Sequence, residues 1–286
     1  MASTRQIKSR IRSVSSNKQI TKAMELVASS KLRRAQDSAM KTRRYTEEAT
    51  SVLAALSRST DVRRSPLFTV RTVKHRILIV ITSDRGLAGA YNANALKLLT
   101  QQLRQDNESH IKTTVITVGR KAAQFVAKLR DVETVGSYQV SEAVRPEEIR
   151  PILVSVAGQF RSGAVDTVDV ITTRFINSFT QTAKQINLLP AGADIDNDTT
   201  TTDMTFEPSA GEVLDYVATR LIEAYLFQAI LDARASEHAM RRVAMKNASD
   251  NAGDIVDALT LEMNKVRQAS ITQELSEISA GVEAMN

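Results

Sequence analysis

The sequence predicts an α/β protein in which the N- and C-terminal helices form a long antiparallel coiled coil around a small inserted α/β domain. Three observations predict it. Residues 3–58 contain neither proline nor glycine, no proline follows Pro208, and between these stretches β-branched runs alternate with helical periodicity. The boundaries that follow are 1–60 for the first helix, 73–206 for the α/β domain, and 208–286 for the second helix, which pairs with 1–60.

The first helix opens at Ser3 with Gln6, an S-x-x-Q capping box in which each side chain satisfies the other's orphan amide. Apolar Ile7, Ile11 and Val14 follow at 4,3 spacing, and Ile20, Met24 and Val27 repeat it. A helix of this extent is roughly 80 Å long at 1.5 Å per residue. Lys18 and Thr21 interrupt its stripe.

The second helix opens after Pro208 with a capping box of Ser209 and Glu212. Leu214, Val217, Leu221 and Tyr225 start its stripe, and Ile271, Leu275, Ile278 and Val282 continue it at 4,3,4 spacing. Gly253 and Gly281 each cost about 1 kcal/mol against Ala. Asn247, Asp250, Asn251 and Asp254 are expected to interrupt the seam. A coil built for stability alone fills such positions with Leu or Ile. A rod of this length is marginal without a partner along it.

Between the helices, Arg76–Thr82 (RILIVIT) has the continuous apolar, β-branched character of a buried strand. A helix near 92–106, a strand at Thr113–Val118, and helices near 120–130 and 147–161 follow. Strands near 165–179 and 182–189 turn through Asn177–Thr180. This alternation predicts a small parallel, Rossmann-like sheet carrying helices, with one antiparallel edge. Ala191–Thr202 (AGADIDNDTTTT) reads as a polar loop.

Composition narrows the function classes. With no Cys there is no disulfide, thiolate or iron–sulfur chemistry. Aromatics at 4% without Trp argue against a conventional enzyme core. No run approaches the length of a membrane span, and the opening residues lack the apolar core of a signal peptide. Residues 1–60 hold 13 Lys and Arg against 4 Asp and Glu, so +9 sits there and −3 on the remainder of a chain of net charge +6. An acidic partner is implied for the first helix. Its cations circle the helix, and among them only Tyr45 could stack a base, so an acidic protein sleeve fits better than nucleic acid.

Candidate chemistry is sparse. The turn Thr82–Asn92 (TSDRGLAGAYN) ends a strand and opens a helix, where amides can hold phosphate. It matches neither G-x-G-x-x-G nor G-x-x-x-x-G-K-[ST], and the pattern favours a tight structural turn. His75, His110 and His238 lack metal-ligand spacing. Glu274 and Glu277 share a helix face without a pocket, so they are expected to be a solvated or partner-facing charge pair. No catalytic residue, cofactor or metal is expected.

Four segments carry a resemblance. They are Ile7–Val14 (IKSRIRSV) continuing through Gln19–Ala28 (QITKAMELVA) to Lys31 and Leu32; Ser83–Asn92 (SDRGLAGAYN); Ala235–His238 (ASEH) with Ala244–Ala248 (AMKNA) and Asp250–Ala252 (DNA); and Arg267–Ile278 (RQASITQELSEI) before Gly281. In order and spacing the chain resembles the gamma subunit of F-type ATP synthases, the central-stalk rotor. It departs at Ala88, where many members have Cys, at Arg242, where Met is common, and at Val282, where Ala is usual. It also lacks the cysteine-bearing insertion of chloroplast members and a visible organelle transit segment.

The resemblance implies a subunit that transmits torque and supplies no catalytic group. Its helix pair inserts among three alpha and three beta subunits, while its foot meets the epsilon subunit and the membrane ring of c subunits. It implies a protein peripheral to the cytoplasmic side of the bacterial inner (plasma) membrane, binding no nucleic acid. Carried over by position, the beta-subunit contacts are Lys22, Met24, Arg241, Arg267, Gln268 and Thr272.

Overall fold

The computed structural model describes residues 4–58, 66–191 and 210–283, which divide into two compact units, Met1–Ala28 with Arg241–Asn286 and Ser29–Met240. The first helix, α1, spans Thr4–Arg58, and the last, α5, spans Ala210–Glu283. Each contributes to both units. The caps expected at Ser3 and Ser209, and the polar loop beyond Ala191, lie outside the described residues.

Within Ser29–Met240 a five-stranded sheet has the order β3-β2-β1-β4-β5. Its strands are β1 (His75–Ile81), β2 (Lys112–Val118), β3 (Glu133–Tyr138), β4 (Thr167–Phe175) and β5 (Gln181–Leu189). The first four are mutually parallel and β5 runs antiparallel to β4, as the sequence predicts. Between them lie α2 (Tyr91–Glu108), α3 (Arg120–Val126) and α4 (Pro146–Arg161).

The pleat of β1 sorts its side chains onto two faces. Ile77, Ile79 and Ile81 join Ile116, Val118, Val168 and Val170 on one face. Leu78 and Val80 join Val115 and Ile171 on the other. The first face is covered by α4, through Ile149, Ile152, Val156 and Phe160, and by α5, through Leu221, Ile222, Leu226 and Ile230. The second is covered by α2 through Ala95 and Leu99, and by α3 through Ala122 and Val126. A sheet buried on both sides needs continuous apolar strands, and RILIVI is one.

The sheet explains a property of α5 that periodicity does not. Between Leu221 and Ala239 nearly every residue is buried, because this stretch packs on the sheet and on α1 together. Leu32 of α1 meets Ala235 and Ala239 of α5 and Phe175 of β4 in a small separate cluster. Full burial of a leucine contributes about 1.5–3 kcal/mol.

Two elements differ from the sequence reading. Strand β3 was not expected: ETVGSY is largely exposed at the sheet edge, so it has neither an apolar run nor clean alternation. Strand β4 ends at Phe175 rather than near 179, since Asn177 accepts from the Phe179 and Thr180 amides and turns the chain.

Within Met1–Ala28 and Arg241–Asn286, α1 and α5 pair antiparallel. Lys18 lies against Gly253 and Lys22 is drawn toward Asp250, so the partner number falls as the first rises. The inward set on α1 is Ile7, Ile11, Val14, Ser15, Thr21, Met24, Glu25 and Ala28, close to a heptad pattern, with Met24 on the stripe as expected. Ile20 and Val27, expected on the stripe, are 55% and 56% exposed, because register rather than apolarity decides which residues face the partner.

The second seam also differs from expectation. Asn247, Asp250, Asn251 and Asp254 are all exposed on the outer face. The inward positions are Met245, Ala248, Ser249, Ala252, Gly253 and Val256. This seam is small rather than polar, and small side chains let two helices approach closely. Lys18, expected to interrupt the stripe, is exposed and lays the flexible end of its side chain over Gly253, where a Cβ would lie 2.9 Å from its Nζ.

Candidate functional site

The turn after β1 was the one candidate for phosphate binding, and its geometry assigns it a structural role. Besides opening α2, the turn accepts hydrogen bonds from the first amides of α3. The Arg120 amide donates to the Asp84 carboxylate (3.0 Å), the Lys121 amide to the Ser83 carbonyl (3.1 Å), and the Ala122 amide to the Thr82 hydroxyl (2.8 Å). The chain's own carboxylate thereby caps the start of α3, so the turn joins β1 to two helices.

The turn is also closed from within. The Asn92 side chain accepts from the Ser83 amide (3.0 Å), and the Ser83 hydroxyl donates to the Arg85 carbonyl (2.6 Å). Leu87 and Gly89 adopt positive φ, and Tyr91 is 1% exposed. At Gly119 (φ +96°) a Cβ would stand 2.1 Å from the Thr82 carbonyl oxygen, so only glycine fits where α3 begins.

This turn is tied to α5. Arg234 lies 3.7 Å from Asp84, donates to the Val140 carbonyl just beyond β3, and pairs with Glu237 at 3.0 Å. Nearby, Glu142 receives the Lys31 ammonium from α1 and stands 3.6 Å from His238 Nε2 on α5. Farther along, Arg43 of α1 binds Asp232 of α5 at 2.9 Å and donates to the Phe175 carbonyl at 3.2 Å. Burial pushes the Asp232 carboxyl above its ordinary range, against the pull of Arg43. Both terminal helices are thereby latched to the sheet by charge-assisted hydrogen bonds. Sequence reading missed Lys31, Arg43, Glu142, Asp232 and Arg234, because pairs so distant in the chain leave no local signal. Asp84, Lys31, Glu237 and His238 sat inside segments that carry the resemblance, with no sign there of their partners.

The six residues singled out from the sequence all belong to the unit of Met1–Ala28 and Arg241–Asn286. They form two groups. Lys22 and Met24 stand on α1; Lys22 is exposed and pairs with Glu25 at 2.9 Å, while Met24 is half-buried. The hydrogen bond to Glu25 raises the Lys22 pKa, with Asp250 adding a smaller pull. Arg241, half-buried on α5, is separated from Arg267 by about 39 Å of helix at 1.5 Å per residue.

Arg267, Gln268 and Thr272 form the second group, and all three are exposed. The Thr272 hydroxyl donates back to the Gln268 carbonyl at 3.0 Å. Arg267 heads a stripe continued at helical spacing by Ile271, Leu275 and Ile278, which are 46%, 60% and 65% exposed. Gln268, Thr272 and Ser276 form a polar stripe beside it. Every described side chain from Arg267 to Ala280 is exposed, so no described residue of the chain covers this stretch of α5. An isolated helix carrying such a stripe is marginal in water and calls for a surrounding surface.

Among the described residues no cluster of His, Asp or Glu is arranged to hold a metal, and no helix is long and apolar enough to cross a membrane.

Comparison with known proteins gives a consistent result. A family model described as ATP synthase matches residues 3–285. An ATP synthase gamma chain of Opitutus terrae is 42% identical over 295 residues, covering 98% of each chain. One from Roseiflexus castenholzii is 40% identical over 287 residues, covering 100% of this chain and 99% of the relative. Among solved structures, a chain from the central stalk and c-ring of Tetrahymena thermophila mitochondrial ATP synthase aligns with a TM-score of 0.64 at 25% identity, over 80% of this chain and 99% of that one. A chain of Euglena gracilis mitochondrial ATP synthase shares the fold, with a TM-score of 0.68 at 19% identity over 99% and 94% of the two chains.

Proposed function

This chain belongs to the ATP synthase gamma-chain family, and from that premise we propose that it is the rotating central-stalk subunit of a proton-translocating F-type ATP synthase. In this reading the helices of 1–60 and 208–286 form the shaft and 73–206 the foot. The shaft turns inside three alpha and three beta subunits, and the foot rides on the c-ring with the epsilon subunit. The complex is attached to the cytoplasmic side of a bacterial plasma membrane, and this chain is peripheral to it.

The observation that carries the reading is the bare end of α5. Ile271, Leu275 and Ile278 are exposed in a row headed by Arg267, on a stretch of α5 that no described residue of its own chain covers. Such an end is stable when other subunits enclose it. An asymmetric helix end presents a different side to each of three surrounding subunits, and holds identical sites in different conformations by differential binding.

Lys22, Met24, Arg241, Arg267, Gln268 and Thr272 are the proposed beta-subunit contacts. Arginine and glutamine at the head of an apolar stripe can form and release charge-assisted bonds as the helix turns. The chain contributes torque and site affinity rather than a reacting group. Co-purification tests the reading: a tagged chain is expected to bring down alpha and beta in a three-to-three ratio with one copy of itself. Recovery of the tagged chain without either subunit, from cells that express both, contradicts it.

A further inference from the structure

We infer that the groove between α4 and the N-terminal part of α5 is a docking surface for an acidic protein segment bearing an apolar side chain. The inference rests on the stalk reading in one respect, that the occupant is sought among the subunits of the assembled complex.

Two adjoining cavities of about 940 and 430 Å³ share Arg150, Arg220 and Glu223 in their walls. Arg161 adds a cation to the first and Lys41, from α1, adds one to the second. Among the described residues, Glu223 is the single carboxylate in the two walls. It is 9% exposed and already engaged, with Arg220 at 2.8 Å and Arg150 at 3.8 Å. One carboxylate cannot neutralise Lys41, Arg150, Arg161 and Arg220, so the described walls carry a net positive charge.

Its cations are accessible and held in place. The side chains of Arg150 and Arg220 are 53% and 46% exposed. The Arg220 guanidinium lies over the Tyr216 ring at 5.5 Å while its edge binds Glu223, which fixes the fork before any partner arrives. Tyr216 and Val154 are 65% and 67% exposed on the rim. Exposed apolar groups flanked by arginine are the usual make-up of an interface anchor.

Charge selects the occupant. A segment with carboxylates on either side of an apolar side chain would meet the arginines and cover Val154 and Tyr216 at once. A lipid headgroup layer is nearly flat and meets projecting cations, whereas these line recessed volumes that a side chain can enter.

The chain has no cysteine, so Val154→Cys gives a unique thiol in this subunit. It would be incorporated into the complete complex purified from membranes and labelled with a photoactivatable maleimide. One dominant crosslink to a neighbouring subunit is expected, mapping by mass spectrometry to a segment with Asp or Glu on both sides of an apolar residue. Combining it with Arg150→Glu and Arg220→Glu should reduce that product about tenfold, with alpha and beta still present. The milder pair Lys41→Gln and Arg150→Gln should reduce it less.

A crosslink to lipid, to a second copy, back to this chain, or to a segment without carboxylates overturns the inference. So does a thiol at Val154 that reacts with a bulky maleimide in the complex as fast as one introduced at exposed Glu108. Loss of alpha and beta from the unmutated complex would overturn the stalk reading instead, so the two failures are distinct.

Discussion

Arg234 of α5 stands 3.7 Å from Asp84 in the turn after β1 and donates to the Val140 carbonyl beyond β3, so one side chain ties the terminal helix to two loops at one end of the sheet. The side chain is 15% exposed, and its partner Glu237 is 5% exposed. Removing a buried cation leaves its carboxylate partner poorly compensated. Arg234→Met is therefore expected to destabilise the chain by about 3 kcal/mol, read as a lower denaturant midpoint with an unchanged slope. A midpoint equal to that of the parent would mean the contact is not a latch.

Two glycines are expected to behave in opposite ways. At Gly119 a Cβ meets backbone at 2.1 Å, and the residue sits at φ +96°. Gly119→Ala should cost more than about 3 kcal/mol, as close backbone contact and left-handed strain add. At Gly253 the nearest atom is the far end of Lys18, which can swing away. Gly253→Ala should stabilise α5 by up to about 1 kcal/mol through helix propensity. Paired thermal melts check both, and a destabilised Gly253→Ala would show that Lys18 is locked in place.

Asp166 gives a pH signature. The hydrogen bond from the His75 amide (2.9 Å) leads in holding its carboxyl below the ordinary aspartate range; burial opposes it, and the Lys74 amide (2.8 Å) adds to it. A carboxyl lowered in the folded state contributes stability above its unfolded pKa, and that stability is lost as pH falls through the folded pKa. Melting temperature should therefore fall with acidification in the acidic carboxylate range, and Asp166→Asn should flatten that fall while lowering the plateau near neutrality. An acid limb of unchanged steepness in Asp166→Asn would contradict the assignment.

How much of this was legible in the sequence depends on the range of the signal. RILIVIT announced β1, and the breaker-free ends announced α1 and α5, because the physics that forms them acts over a few residues. Strand β3 was not legible, since an exposed edge strand such as ETVGSY needs no apolar pattern. The inward face of α1 was misread at Ile20 and Val27, because the antiparallel register with α5, rather than side-chain character, turns Thr21 and Glu25 inward. The same cause moved Asn247, Asp250, Asn251 and Asp254 from the expected seam to the outer face. Of the site, Arg267 and its apolar stripe were visible as spacing. The latches Arg43–Asp232 and Lys31–Glu142 join residues far apart in the chain and appear only once the chain is folded.

The end of α5 supplies a functional prediction. Arg267 and Gln268 are fully displayed on a helix that needs no help from them to fold, so their replacement should leave the isolated stability within about 0.5 kcal/mol. Arg267→Ala with Gln268→Ala is nonetheless expected to lower ATP synthesis by the assembled complex at least about tenfold, the scale of losing charge-assisted contacts to a partner. Synthesis at the parental rate in membranes carrying the double variant would remove both residues from the contact surface.

The central claim is that this chain turns inside its partners. The most direct measurement fixes the alpha and beta subunits to a surface and attaches an optical probe to a thiol introduced as Phe179→Cys, on a hairpin tip that is 84% exposed in a chain without other cysteines. On addition of ATP, the account predicts unidirectional rotation of the probe in three equal steps per turn. A probe that stays still while the immobilised complex hydrolyses ATP at its normal rate would contradict it.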